Sequence, residues 1–109
     1  MANTLSILGQ SYPAAATPAD LYTVPAATST VTSTLLICNT SVTATTIRVA
    51  VRKAGLALTN KQYIYYDVLI AGNDTITLTA GLTLAATDII TVYNTAGTCA
   101  FAVYGQENS

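Results

Sequence analysis

Thr45-Thr46-Ile47-Arg48-Val49-Ala50-Val51-Arg52-Lys53 carries the decisive pattern of this chain. Ile47, Val49 and Val51 alternate with Thr46, Arg48, Ala50 and Arg52. A period of two puts successive side chains on opposite sides of a strand, one apolar and one polar. Asp74-Thr75-Ile76-Thr77-Leu78-Thr79 repeats the pattern with Ile76 and Leu78 against three threonines. No stretch shows convincing 3.6-residue spacing with caps. Gly55 to Gln62, GLALTNKQ, comes nearest to a helical turn and is too short for a helix.

Working outward, eight strands are predicted: Asn3–Gly9, Leu21–Val24, Ser29–Asn39, Thr45–Lys53, Gln62–Ile70, Thr75–Leu84, Asp88–Asn94 and Thr98–Gly105. The third and sixth are long enough to be broken. Turn residues separate them: Tyr12 to Asp20 with two prolines, then Asn39 to Ala44, Ala71 to Asp74, Ala85 to Asp88 and Asn94 to Gly97. Strands this short and this closely spaced predict an all-β fold. It is a single-domain antiparallel sandwich over residues 1–109, jelly-roll or immunoglobulin-like.

Composition narrows the chemistry. Of 109 residues only 8% are charged, against the usual quarter or so, while 20 are Thr and 18 are Ala. Four basic side chains, Arg48, Arg52, Lys53 and Lys61, neutralise few phosphates, so nucleic acid is not an expected partner. No run of 18 apolar residues predicts a membrane span, and Met1 to Gln10 does not read as a secretory leader. A soluble, unexported chain is expected, so the Asn-x-Ser/Thr sites at Asn39 and Asn73 are not expected to carry glycans. Near-neutral charge weakens the self-repulsion that keeps monomers apart, which favours a homo-oligomer. Threonine on an exposed strand keeps β-propensity without the desolvation cost of charge when another surface covers it.

The chain has no histidine, so neither Ser-His nor Cys-His catalysis is available. Asp67, Asp74 and Asp88 could meet in space and pair for acid–base work, but Asp74 and Asp88 precede strands, where aspartate caps backbone N–H groups. No catalytic, metal or cofactor site is predicted. Cys38 and Cys99, in apolar strand contexts, read as small buried thiols, or as a disulfide if their strands are neighbours.

Five residues are candidates for an intersubunit contact. Arg48 and Arg52 share one side of a strand and hold half of the positive charge. They fit either an ion pair across an interface or a solvated face. Tyr63, Tyr65 and Tyr66 cluster in KQYIYYDV; strict alternation puts Tyr63 and Tyr65 on one side and Tyr66 on the other. Half-buried packing, a protein contact and a sugar platform that could include Tyr104 all suit such tyrosines.

The order LYTVPAATSTVTSTLLICNTS, TTIRVAVRKAG, YIYYDVLIAGNDTITLTAGLTLAATDIITVYN and CAFAVYGQE resembles small all-β structural proteins of tailed bacteriophages. The shared elements are Tyr22 to Pro25, Cys38-Asn39, a strand ending at Arg52, Ile70 to Thr75, and Leu84 to Val92. Such proteins often carry Ala-Gly-Asp before the penultimate strand, where this chain has Ala85-Ala86-Thr87-Asp88 without a glycine at Ala86. The resemblance implies a non-enzymatic virion component, assembled in the host cytoplasm. Its partners would be the major capsid protein, for a decoration or cement protein, or neck, tail or baseplate proteins. A carbohydrate-binding host-adhesion module is the alternative.

Overall fold

The computed structural model describes residues 3–109. Among the described residues nine strands form: β1 (Asn3–Ser11), β2 (Ala19–Thr23), β3 (Ser29–Asn39), β4 (Thr45–Arg52), β5 (Tyr63–Ile70), β6 (Thr75–Leu78), β7 (Thr83–Leu84), β8 (Ile89–Asn94) and β9 (Cys99–Asn108). The predicted sixth strand is broken into β6 and β7. Gly81 takes a φ of 62°, a left-handed conformation that no strand continues through. After the break, Leu82 returns to β3: its carbonyl accepts from the Thr32 N–H and its own N–H donates to the Thr32 hydroxyl. The GLALTNKQ stretch holds only a single 3-10 turn, Asn60–Gln62, closed by a capping box from Thr59.

The larger sheet runs β1-β9-β3-β6, with β7 also on β3; the smaller runs β2-β8-β4-β5. Counting β6 and β7 as one interrupted strand, first pairs with last, second with second-last, third with sixth, and fourth with fifth. This is a long hairpin rolled into two antiparallel sheets, a jelly roll. The immunoglobulin-like alternative falls, because it keeps the first two strands in one sheet. Here β1 and β2 belong to different sheets.

The alternation read from the sequence fills the space between the sheets. Leu35, Ile37, Phe101 and Val103 of the larger sheet meet Ile47, Val49, Ile90 and Val92 of the smaller. Each such side chain contributes roughly 2 kcal/mol on full burial. Two buried asparagines tie off one end of the sandwich. Asn94 Oδ1 accepts from the Thr98 and Cys99 N–H groups, and its Nδ2 donates to the Thr46 carbonyl. Asn39 Nδ2 donates to the Thr43 and Ala71 carbonyls.

The turn at Ala85 to Asp88 closes without glycine, since Thr87 takes the left-handed conformation at φ 69°. No helix among the described residues is long and apolar enough to cross a membrane.

Candidate docking surface

The two outer faces of the sandwich differ in chemistry. On the smaller sheet, Arg48 reaches Asp67 through Nε (2.6 Å) and Nη2 (3.3 Å). Its guanidinium lies 4.4 Å from the ring centres of both Tyr66 and Tyr93. The Asp67 carboxylate raises the Arg48 pKa further above its ordinary value. Arg52 bonds Asp20 (3.1 Å), Thr91, and the carbonyls of Gly55 and Leu56. Both arginines therefore have anionic partners inside the chain.

Strict alternation fails on β5. Ile47 pairs with Val68, but Val49 pairs with Tyr65 and Ala50 with Tyr63, so β5 holds extra residues at two places. Asp67, at a φ of 53°, occupies one of these bulges. The result corrects the expected grouping of the tyrosines. Tyr63 and Tyr66 meet edge to face with ring centres 4.9 Å apart, while Tyr65 packs against the core. A small depression lies among Asn60, Tyr63 and Tyr66.

The larger sheet presents a different surface. Phe101 and Val103 point inward, so Ala100, Ala102, Tyr104 and Gln106 of β9 point out. Cross-strand pairing carries that side onto the neighbours. Ile7 lies beside Tyr104, and Leu5 and Val31 flank Gln106. Leu36 lies beside Ala102 and Thr77, and Cys38 beside Ala100 and Thr75. No charged side chain occurs at these outward positions. Leu5, Ile7, Tyr12 and Val31 are exposed. Two shallow depressions mark the face, one framed by Tyr12, Leu36, Cys38 and Ala102, the other by Leu5, Val31 and Tyr104.

The nearby carboxylates are engaged elsewhere. Asp74 Oδ1 accepts from the Thr75 N–H, and Asp88 accepts from the Ala54 and Ala85 N–H groups, the expected capping role. Glu107 accepts from the Tyr22 hydroxyl on the inner side.

Cys99 is buried, as expected of a small apolar thiol, whereas Cys38 is exposed. Both are free. Their strands are neighbours, but Cys38 pairs with Ala100 and Cys99 with Asn39, so the one-residue offset turns the thiols to opposite sides of the sheet.

Of the sequence-predicted residues, Tyr63, Tyr66, Arg48 and Arg52 thus lie on one outer face while Tyr65 packs on the core, and the charge-free surface lies on the other face. Of the residues on that face, the sequence singles out Tyr104 as a contact candidate and Cys38 as a buried thiol. The missed signal was Asn3 to Ser11, a strand without a single charge. No family model, curated protein or solved structure matches this chain, and its likeness to phage structural proteins gains no support from those comparisons.

Proposed function

We propose that the chain is a non-enzymatic structural protein of a tailed-phage virion, a capsid decoration or cement protein. It stabilises the shell by laying the outer face of its larger sheet on the major capsid protein. The resemblance in sequence supplies the setting, and the charge-free face carries the mechanism. Four strand rows about 4.8 Å apart and some nine residues long cover about 600 Å². A standard interface buries about 800 Å² on each partner. A symmetric shell repeats the contact many times, so each one can be weak. The jelly roll is compatible without being decisive, since it serves shell-forming and lectin domains alike.

The test is co-sedimentation of purified chain with empty shells of the phage that encodes it, together with immunogold labelling of intact particles. Binding and labelling on the shell are expected. A chain indifferent to shells and labelled on the neck, tail or baseplate would transfer the role there.

The depression among Asn60, Tyr63 and Tyr66 favours a second reading, a glycan-binding adhesion module. Amide and aromatic groups together suit a sugar ring. A glycan array on which Tyr66→Ala abolishes a specific signal would establish it; Tyr65, packed on the core, is not the residue to test.

A further inference from the structure

Among the described residues the sandwich has four free sheet edges, and three carry devices that block further strand addition. The free edge of β5 belongs to a doubly bulged strand that holds Asp67. β2 is five residues long, contains Asp20 and is bulged next to it. β6 and β7 are only four and two residues, parted by the turn at Gly81.

β1 is different. Its nine residues include no charge and no proline. Its second half has β2 packed directly on its inner side: a side chain at Gly9 would sit 2.2 Å from the Leu21 carbonyl oxygen. Its first half, Asn3 to Ile7, runs without a bulge and is exposed at every position. Thr4 and Ser6, on the inner side, are as open as Leu5 and Ile7, so this half-strand extends beyond cover by the second sheet. Leu5 is 78% exposed and Ile7 55%.

We infer that a second copy of the chain pairs with this half-strand, antiparallel about a two-fold axis near Leu5. An incoming strand there must be extended, uncharged and open at its own edge, and β1 of another copy meets each condition. About such an axis Leu5 faces Leu5 while Asn3 faces Ile7 and Thr4 faces Ser6, so a charge on the axis would face its like. Asn3 to Ile7 holds none. Pairing joins the two larger sheets edge to edge and sets Leu5 beside Leu5 of the second copy. It also doubles the charge-free face. The ladder is only about 17 Å long and covers much less than the ~800 Å² per partner of a standard interface, so the dimer is reversible and depends on concentration. The inference does not depend on what the sheet face docks against.

Analytical ultracentrifugation of the full chain over a dilution series tests it. The wild-type protein should pass from monomer to dimer as concentration rises. Leu5→Lys and Leu5→Glu should each stay monomeric with unchanged thermal melts. Mixed in equal amounts they should recover the dimer, because opposite charges then meet across the axis. Val31→Lys, two strands in from the edge, should keep the dimer even if the sheet face proves to be the shell-binding surface. A wild-type monomer up to the solubility limit, a dimer that survives in both Leu5 variants, or a mixture that stays monomeric would each overturn the inference. So would loss of the dimer in Val31→Lys, which would mean that copies meet through their faces.

Discussion

Cys38 and Cys99 sit on adjacent antiparallel strands one residue out of register, and their thiols occupy opposite sides of one sheet. Cys38 opens onto the charge-free face. Burial pushes the Cys99 thiol up to about 11, and thiolate is the reactive form. One thiol per native chain should therefore react with a disulfide reagent at neutral pH, and two after denaturation. The same reaction reports on docking: Cys38 should be protected when the chain is bound to shells. Equal reaction of both native thiols would contradict the arrangement.

Alkaline stability follows from two buried acids. Tyr22 rises from 10.0 to about 12, first through burial and then through its bond to Glu107. Cys99 rises from 9.0 to about 11 through burial. Both groups hold their protons more tightly folded than unfolded, so unfolding releases protons once the pH passes the ordinary values. Their contribution is complete below about pH 9 and is lost as pH climbs through 11 and 12. Melting temperature should fall across that window. Cys99→Ala should flatten the lower part of the fall and Tyr22→Phe the upper part, each measured against wild type at the same pH. Curves parallel to wild type would refute the assignment.

Thr87 holds a left-handed φ of 69°. A β-branched residue there costs roughly 1–2 kcal/mol relative to an ordinary conformation. The bonds from the Thr87 N–H to Val24 and from Ala85 to the Asp88 carboxylate do not use the side chain, whose exposed hydroxyl donates only to the adjacent Ala86 carbonyl. Thr87→Gly should stabilise the protein by about 1 kcal/mol after the entropic cost of glycine. A higher urea midpoint at unchanged slope is the expected result.

The core was legible because it obeys a local rule. Ile47, Val49, Ile90 and Val92 alternate in sequence and are buried in space. The topology was not, because β1 and β9 pair Asn3 with Asn108 across nearly the whole chain. Composition says nothing about which distant strand closes on which, so jelly roll and immunoglobulin-like remained equal. The tyrosine grouping failed at Ile64, where a bulge between Tyr63 and Tyr65 reverses the alternation that the sequence displays. Neither a glycine nor an aspartate stands between Tyr63 and Tyr65 to announce that bulge. The candidate surface was missed for another reason. Charged and aromatic residues attract attention as binding groups, and here they bond to one another. The open face is built from residues that look like ordinary strand formers.

Arg48 lies between two tyrosine rings and forks onto Asp67. Lysine can neither fork nor stack as a plane. Arg48→Lys should therefore cost about 1 kcal/mol despite conserving charge. A double-mutant cycle with Asp67→Ala would separate the ion pair from the stacking. If Arg48→Lys were neutral, the site would be an exposed pair of no consequence to stability.

The two faces can be set against each other in one experiment. Val31→Lys places a charge on the face of the larger sheet at a residue already exposed. Its effect on stability should stay within about 0.5 kcal/mol, as for other surface changes. Binding to shells should be lost, because the new ammonium must be buried opposite a surface matched to uncharged groups. Arg52→Ala should behave in the opposite way. It removes bonds to Asp20, Thr91, Gly55 and Leu56, so stability falls. Shell binding should persist, because Arg52 faces away from the proposed contact. If Arg52→Ala abolished binding and Val31→Lys did not, the docking surface would be the tyrosine–arginine face that the sequence first suggested. The charge-free face would then owe its composition to strand-forming propensity alone.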